Sequence, residues 1–118
     1  MLIIRPQQMH SLGLAAGQRF EDRLLAHIRN FFPDVCDRLG EDGTLQAIRH
    51  AMDRTRVYRL TTERQIAKYL NLQFVFGLHF DETLPWAAAV LGELEEPASV
   101  RMDRLSEKAE RYTAEEGD

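Results

Sequence analysis

The sequence predicts an all-α fold: a single compact bundle of five to six helices around a central apolar helix at about 62–77. Three observations predict it. Apolar residues recur three and four apart over long stretches, the period of an α-helix face. Proline and glycine punctuate those stretches at Pro33, Gly40, Gly77, Pro85 and Pro97. Most informative is Thr61 to Trp86, TTERQIAKYLNLQFVFGLHFDETLPW, which opens on a helix-start signal and becomes apolar on almost every side. A helix apolar all round has to be enclosed by other helices.

The first helix is expected over Arg5 to Phe31, where Met9, Leu12, Ala16, Phe20, Leu24, Ile28 and Phe31 form one stripe. Gly13 and Gly17 weaken its first half by up to ~1 kcal/mol each relative to alanine. Met1 to Ile4 read as a frayed start. Phe31-Phe32-Pro33 is a break, because proline disfavours a helical residue before it and suits the first turn of the next helix. A short helix, Pro33 to Leu39, should stop at Gly40 in a left-handed cap, with Glu41-Asp42-Gly43 as a turn.

A third helix follows from about Thr44 to Val57, carrying Leu45, Ile48 and Met52. The fourth starts at Thr62, whose hydroxyl can cap open amides while Gln65 stands at the capping-box position. Ile66, Tyr69, Leu70 and Phe74 continue one face, Leu72, Val75 and Phe76 the other, and Gly77 ends it. Phe80 to Trp86 reads as a loop into a short fifth helix with Pro85 in its first turn and Trp86, Ala89, Val90 and Leu94 as its packing face. After Glu95-Glu96-Pro97 the last helix begins near Ala98. Its seam, Ala98, Met102, Leu105, Ala109 and Tyr112, suits packing on one neighbour, either the body of the domain or another chain. The domain should cover 1–112, with 113–118 a disordered tail and the last helix peripheral. Core residues should include Phe20, Leu24, Ile28, Ile48, Met52, Ile66, Leu70, Phe74 and Trp86.

Composition bounds the function classes. A chain of 118 residues with 44% hydrophobic and 29% charged residues fits one globular domain with a thin core. The lone Cys36 can form no internal disulfide, which fits a reducing compartment, and no run approaches a membrane span, so a cytoplasmic location is expected. Net charge is −4, with nine acidic against four basic residues over 93–118 and a balance of +1 before them. That body lacks the concentrated positive footprint of a nucleic-acid binder.

No residue pattern identifies a reaction. His10, His27, His50 and His79 fall on different elements, and no pair has the i, i+4 spacing that clamps zinc. No metal, cofactor or catalytic residue is assigned, and the protein is expected not to be an enzyme. His79 beside Asp81 and Glu82 is the best single acid–base candidate, against the blander reading that it caps a helix or faces water. Asp81 itself reads as a cap for the following turn. Phe74, Phe76, Phe80 and Trp86 read as core before they read as a ligand pocket. Arg49, Arg54, Arg56, Arg59, Arg64 and Lys68 flank the third-to-fourth helix turn. They could be simply solvated and paired with Asp53 and Glu63, or dock an acidic partner surface.

The whole pattern resembles a group of small bacterial helical proteins. The resemblance rests on F-x-x-R-L-L-A-H-I-R-x-F-F-P (Phe20 to Pro33), I-R-H-A-M (Ile48 to Met52), Y-R-L-T-T-E-R (Tyr58 to Arg64), F-V-F-G-L-H-F-D (Phe74 to Asp81) and L-P-W-A-A-A-V-L (Leu84 to Leu91). Members of that group are often encoded beside type VI secretion spike, PAAR and effector genes. The resemblance implies a non-enzymatic accessory protein: an effector chaperone or adaptor, a modulator of such a chaperone, or an immunity protein against a cognate toxin. Its partner would be a secretion effector, that effector's chaperone or a spike component, contacted through Met102, Leu105, Ala109 and Tyr112 or through Arg56, Arg59 and Arg64. A homodimer through the last helix is compatible with either role. Toxicity rescue separates immunity from loading.

Overall fold

The computed structural model describes residues 13–116, in six helices with no strand among them. They are α1 (Gly13–Phe31), α2 (Pro33–Val57), α3 (Glu63–Phe76), α4 (Phe80–Thr83), α5 (Pro85–Gly92) and α6 (Ala98–Glu116). The all-α expectation holds. What was expected of residues 1–12, including the start of the first helix, lies outside the described residues. The chain divides into two compact units, one ending at Ile48 and the other beginning at Arg49, with the boundary inside α2.

In the first unit, Leu24, Leu25 and Ile28 of α1 are buried, as their three-and-four spacing requires. Gly40 interrupts α2 with φ 74° and ψ 174°, a conformation that an L side chain adopts only under strain. The predicted stop is therefore real, but the chain resumes as helix at once. Glu41-Asp42-Gly43 is helical rather than a turn. Thr44 Oγ1 donates to the Gly40 carbonyl at 2.7 Å, satisfying an acceptor that the break would otherwise expose.

The second unit begins with the end of α2. Leu60 N–H donates to Thr55 O at 2.8 Å and Arg59 N–H to Arg56 O at 3.1 Å. This pair of bonds defines a Schellman cap, and it puts Arg59 at φ 59°, where glycine is usual. The buried Leu60 supplies the cap's apolar contact. At the other side of the turn, Gln65 N–H donates to Thr62 Oγ1 and Thr62 N–H to Gln65 Oε1, the reciprocal bonds of the predicted capping box. Gly77, at φ 113°, ends α3 with its N–H on Gln73 O.

Helix α3 packs on α4 and α6, and α5 packs on α4 and α6. Tyr69, Leu70, Phe80, Ala87, Val90, Leu91, Met102 and Leu105 form the buried interior of this unit. Three expectations need correction. The 80–86 stretch is not a plain loop, because Phe80–Thr83 is a helical turn that drives Phe80 fully inside. The buried face of α5 is Ala87, Val90 and Leu91, while Ala89 and Leu94 are exposed. Helix α6 is not peripheral, and it continues through Glu116 where a disordered tail was expected from 113; the remainder of that tail, 117–118, lies outside the described residues.

Of the expected core, Leu24, Ile28, Ile48 and Leu70 are fully buried. Phe20, Met52, Ile66, Phe74 and Trp86 are half-buried. Helix α3 is not enclosed on all sides: Val75 is 55% exposed.

A charged residue is buried within the second unit. Arg101 on α6 is only 2% exposed. Its Nη1 donates to Tyr58 O at 2.7 Å and to Leu91 O at 3.4 Å, and its Nε donates to Glu96 O at 3.0 Å. These carbonyls lie at the C-terminal ends of α2 and α5 and in the loop before α6, where unpaired acceptors and the negative helix ends favour a cation. Removing the guanidinium would strand them. Arg101→Ala is expected to destabilise the protein by about 3 kcal/mol or more. Urea denaturation should show this beside an exposed control such as Arg104→Ala, which loses only a surface pair with Glu93.

Candidate functional site

Helices α3 and α6 leave a groove of about 550 Å³ between them. Leu72, Val75, Phe76 and Ala109 provide its apolar lining, with Lys68 and Glu110 among its polar members. The groove exists because α3 carries apolar residues on two faces while α6 covers only one. At its margin Tyr112 packs against Phe76 and Trp86, each with ring centroids 5.6 Å away. Phe76 and Trp86 meet edge to face at 5.4 Å. Such ring pairs contribute ~0.5–1.5 kcal/mol each beyond their buried area, so this end of the groove is preorganised.

The α6 seam sits differently from its expected docking role. Met102, Leu105 and Ala109 are buried, with Leu105 at 0% exposure, and Tyr112 is half-buried in the aromatic cluster. Of the two neighbours the seam could have packed on, the body of its own unit is the one observed. Only Ala109 reaches the groove. Leu105→Asp would therefore report on folding rather than on partner capture.

The basic residues divide. Arg56, Arg59 and Arg64 are exposed around the turn from α2 to α3. Arg56 pairs with Asp53 at 3.1 Å, while Arg59 and Arg64 have no acidic partner among the described residues. Arg54 belongs elsewhere. Its Nε donates to Asp81 Oδ2 at 2.8 Å, Tyr58 OH donates to the same oxygen at 2.7 Å, and Arg54 Nη2 donates to Tyr58 OH at 3.0 Å. Asp81 is thus a buried acceptor tying α4 to the end of α2, and not the cap expected for the following turn.

Partial burial opposes the charge on Arg54, but its bonds to Asp81 and Tyr58 prevail and raise its pKa. Burial, reinforced by the Asp81 hydrogen bond, raises Tyr58. Burial and the Asp81 charge raise Tyr69 much further. The Tyr69 hydroxyl and Asp81 Oδ1 are both buried without a hydrogen-bond partner among the described residues.

His79 is exposed, with Nδ1 4.0 Å from Glu82 Oε1, and its ring meets His50 edge-on at 5.6 Å between centroids. The His50–His79 contact joins α2 to the turn before α4 and had no signal in local spacing. Its one precursor is the row His50, Arg54, Tyr58, spaced four apart along α2 and into its C-terminal cap. Among the described residues no three His, Cys, Asp or Glu side chains converge as a metal site, and no helix is long and apolar enough to cross a membrane. The chain matches no family model, and neither a curated protein nor a solved structure aligns with it.

The tyrosines give a pH dependence with a definite sign. Both phenols are raised above their ordinary value of 10.0 in the folded protein, so their protonated forms favour folding. Their contribution is complete below pH 10 and is lost as pH rises above it, where the unfolded chain releases protons that the native state retains. Urea midpoints should fall more steeply above pH 10 for the wild type than for Tyr69→Phe. Equal alkaline slopes would remove Tyr69 from this role.

Proposed function

We propose that the protein is a non-enzymatic accessory binding protein that holds an apolar helical segment of a protein partner in the α3–α6 groove. The carrying observation is the groove itself: Val75 stands 55% exposed beside Leu72 and Phe76, and an aromatic cluster fixes one end. An amphipathic helix laid into such a groove gains affinity from a few apolar anchors. The resemblance of the Phe74–Asp81 and Leu84–Leu91 segments to proteins of type VI secretion clusters names the partner class. It would be a secretion effector, that effector's chaperone or a spike component, engaged in the cytoplasm before export. The protein would then act as chaperone, adaptor or chaperone modulator.

Val75→Glu tests this reading, because an exposed position tolerates the change without loss of helix. In a native pull-down from the host, the wild type should recover a secretion effector, its chaperone or a spike protein. Val75→Glu should reduce that recovery at least about tenfold, the loss expected for a central anchor. Recovery that ignores Val75→Glu would overturn the groove. Recovery of none of these partners, alongside a captured control complex, would overturn the adaptor role.

A further inference from the structure

The turn between α2 and α3 keeps arginine where glycine would be easier. Arg59 occupies the left-handed position of a Schellman cap at φ 59°. Its side chain has no acidic partner among the described residues, so no local pairing explains its presence. Strain retained at an exposed, unpaired charge is a pointer to use. Arg56 and Arg64 lie within five residues of it in sequence, both exposed, and Val57 between them is 55% exposed.

A second surface of opposite sign lies next to this corner. Arg101 donates to Tyr58 O, one residue before Arg59, and also to Glu96 O. The same guanidinium therefore holds the basic turn beside the loop Glu93–Glu96. Glu93 pairs with Arg104 at 2.9 Å, but Glu95 and Glu96 have no basic partner among the described residues. Leu94, in the middle of the loop, is 37% exposed.

A basic patch and an acidic patch side by side, each with an exposed apolar residue and unpaired charges, are self-complementary under a two-fold rotation. Each patch of one copy then meets the opposite patch of the other. We propose that this corner is the interface of a homodimer, in which Arg59 and Arg64 of each copy face Glu95 and Glu96 of a second copy of the chain. Val57 and Leu94 supply its apolar centre. A lone acidic partner would satisfy only the basic half and leave Glu95 and Glu96 as they are. Nucleic acid is disfavoured by the adjoining carboxylates. The contact is independent of the α3–α6 groove, so its failure and the groove's failure are separable.

Sedimentation velocity on the full chain tests it. The wild type should show concentration-dependent dimerisation in about 20 mM salt that weakens at least about tenfold in about 500 mM salt, since the charges that meet there, exposed at Arg59, Arg64 and Glu95 and half-buried at Glu96, dominate the contact. The double variants Arg59→Glu with Arg64→Glu, and Glu95→Arg with Glu96→Arg, should each be monomeric. An equimolar mixture of the two should dimerise, because both reversed patches then find their complement. Arg59→Gly should move two readouts in opposite directions, raising Tm by roughly 2–6 °C through relief of the left-handed strain while weakening dimerisation. Circular dichroism on each variant confirms folding.

A wild type monomeric in low salt would overturn the proposal, as would dimerisation unaffected by the reversals. Failure of the folded reversed variants to pair with each other would do the same. So would loss of dimer on Val75→Glu with none on Arg59→Glu and Arg64→Glu, which would move self-association to the groove. Association with an acidic peptide or with nucleic acid in place of a second copy would also count against it.

Discussion

Arg101 is the constraint on which the second unit depends. A guanidinium at 2% exposure is costly unless its donors find partners, and here they find three main-chain carbonyls. The consequence is positional. The end of α2, the end of α5 and the loop leading into α6 have to converge on one planar group, and Arg presents the fixed fork of donors that such convergence requires. The apolar packing of Leu91, Met102 and Leu105 supplies burial, but burial is non-directional. Arg101 adds direction to it.

The Arg54–Tyr58–Asp81 cluster repeats this logic on a smaller scale. Asp81 would be an unpaired buried carboxylate without its two donors, Arg54 in α2 and Tyr58 just past its end, and α4 is too short to hold its place alone. Two polar anchors, one at each side of Tyr58, therefore fix how the α2–α3 turn presents itself. The tyrosine gives its carbonyl to Arg101 and its hydroxyl to Asp81. An exposed, strained arginine immediately follows it.

Local features were legible in the sequence and non-local ones were not. The Thr62–Gln65 capping box, the Gly40 and Gly77 breaks and the start of α5 at Pro85 each depend on a few adjacent residues, and each appears where the chemistry of those residues places it. The site required pairs that spacing does not reveal. Asp81 finds Arg54 across 27 residues and Arg101 finds Tyr58 across 43. A seam such as Met102, Leu105 and Ala109 announces that something covers it without saying what, and the cover is the protein's own interior. The groove arose from the same ambiguity in reverse, because α3 reads as apolar all round while α6 covers only part of it.

The 43-residue separation between Tyr58 and Arg101 also bears on how the chain is made. Synthesis delivers α2, α3, α4 and α5 before the arginine that ties their ends together. Until α6 clears the ribosome, α3 and α5 have no α6 to pack against, and the Tyr58 and Leu91 carbonyls depend on water. Completion of this half of the molecule is thus a late event, timed by translation.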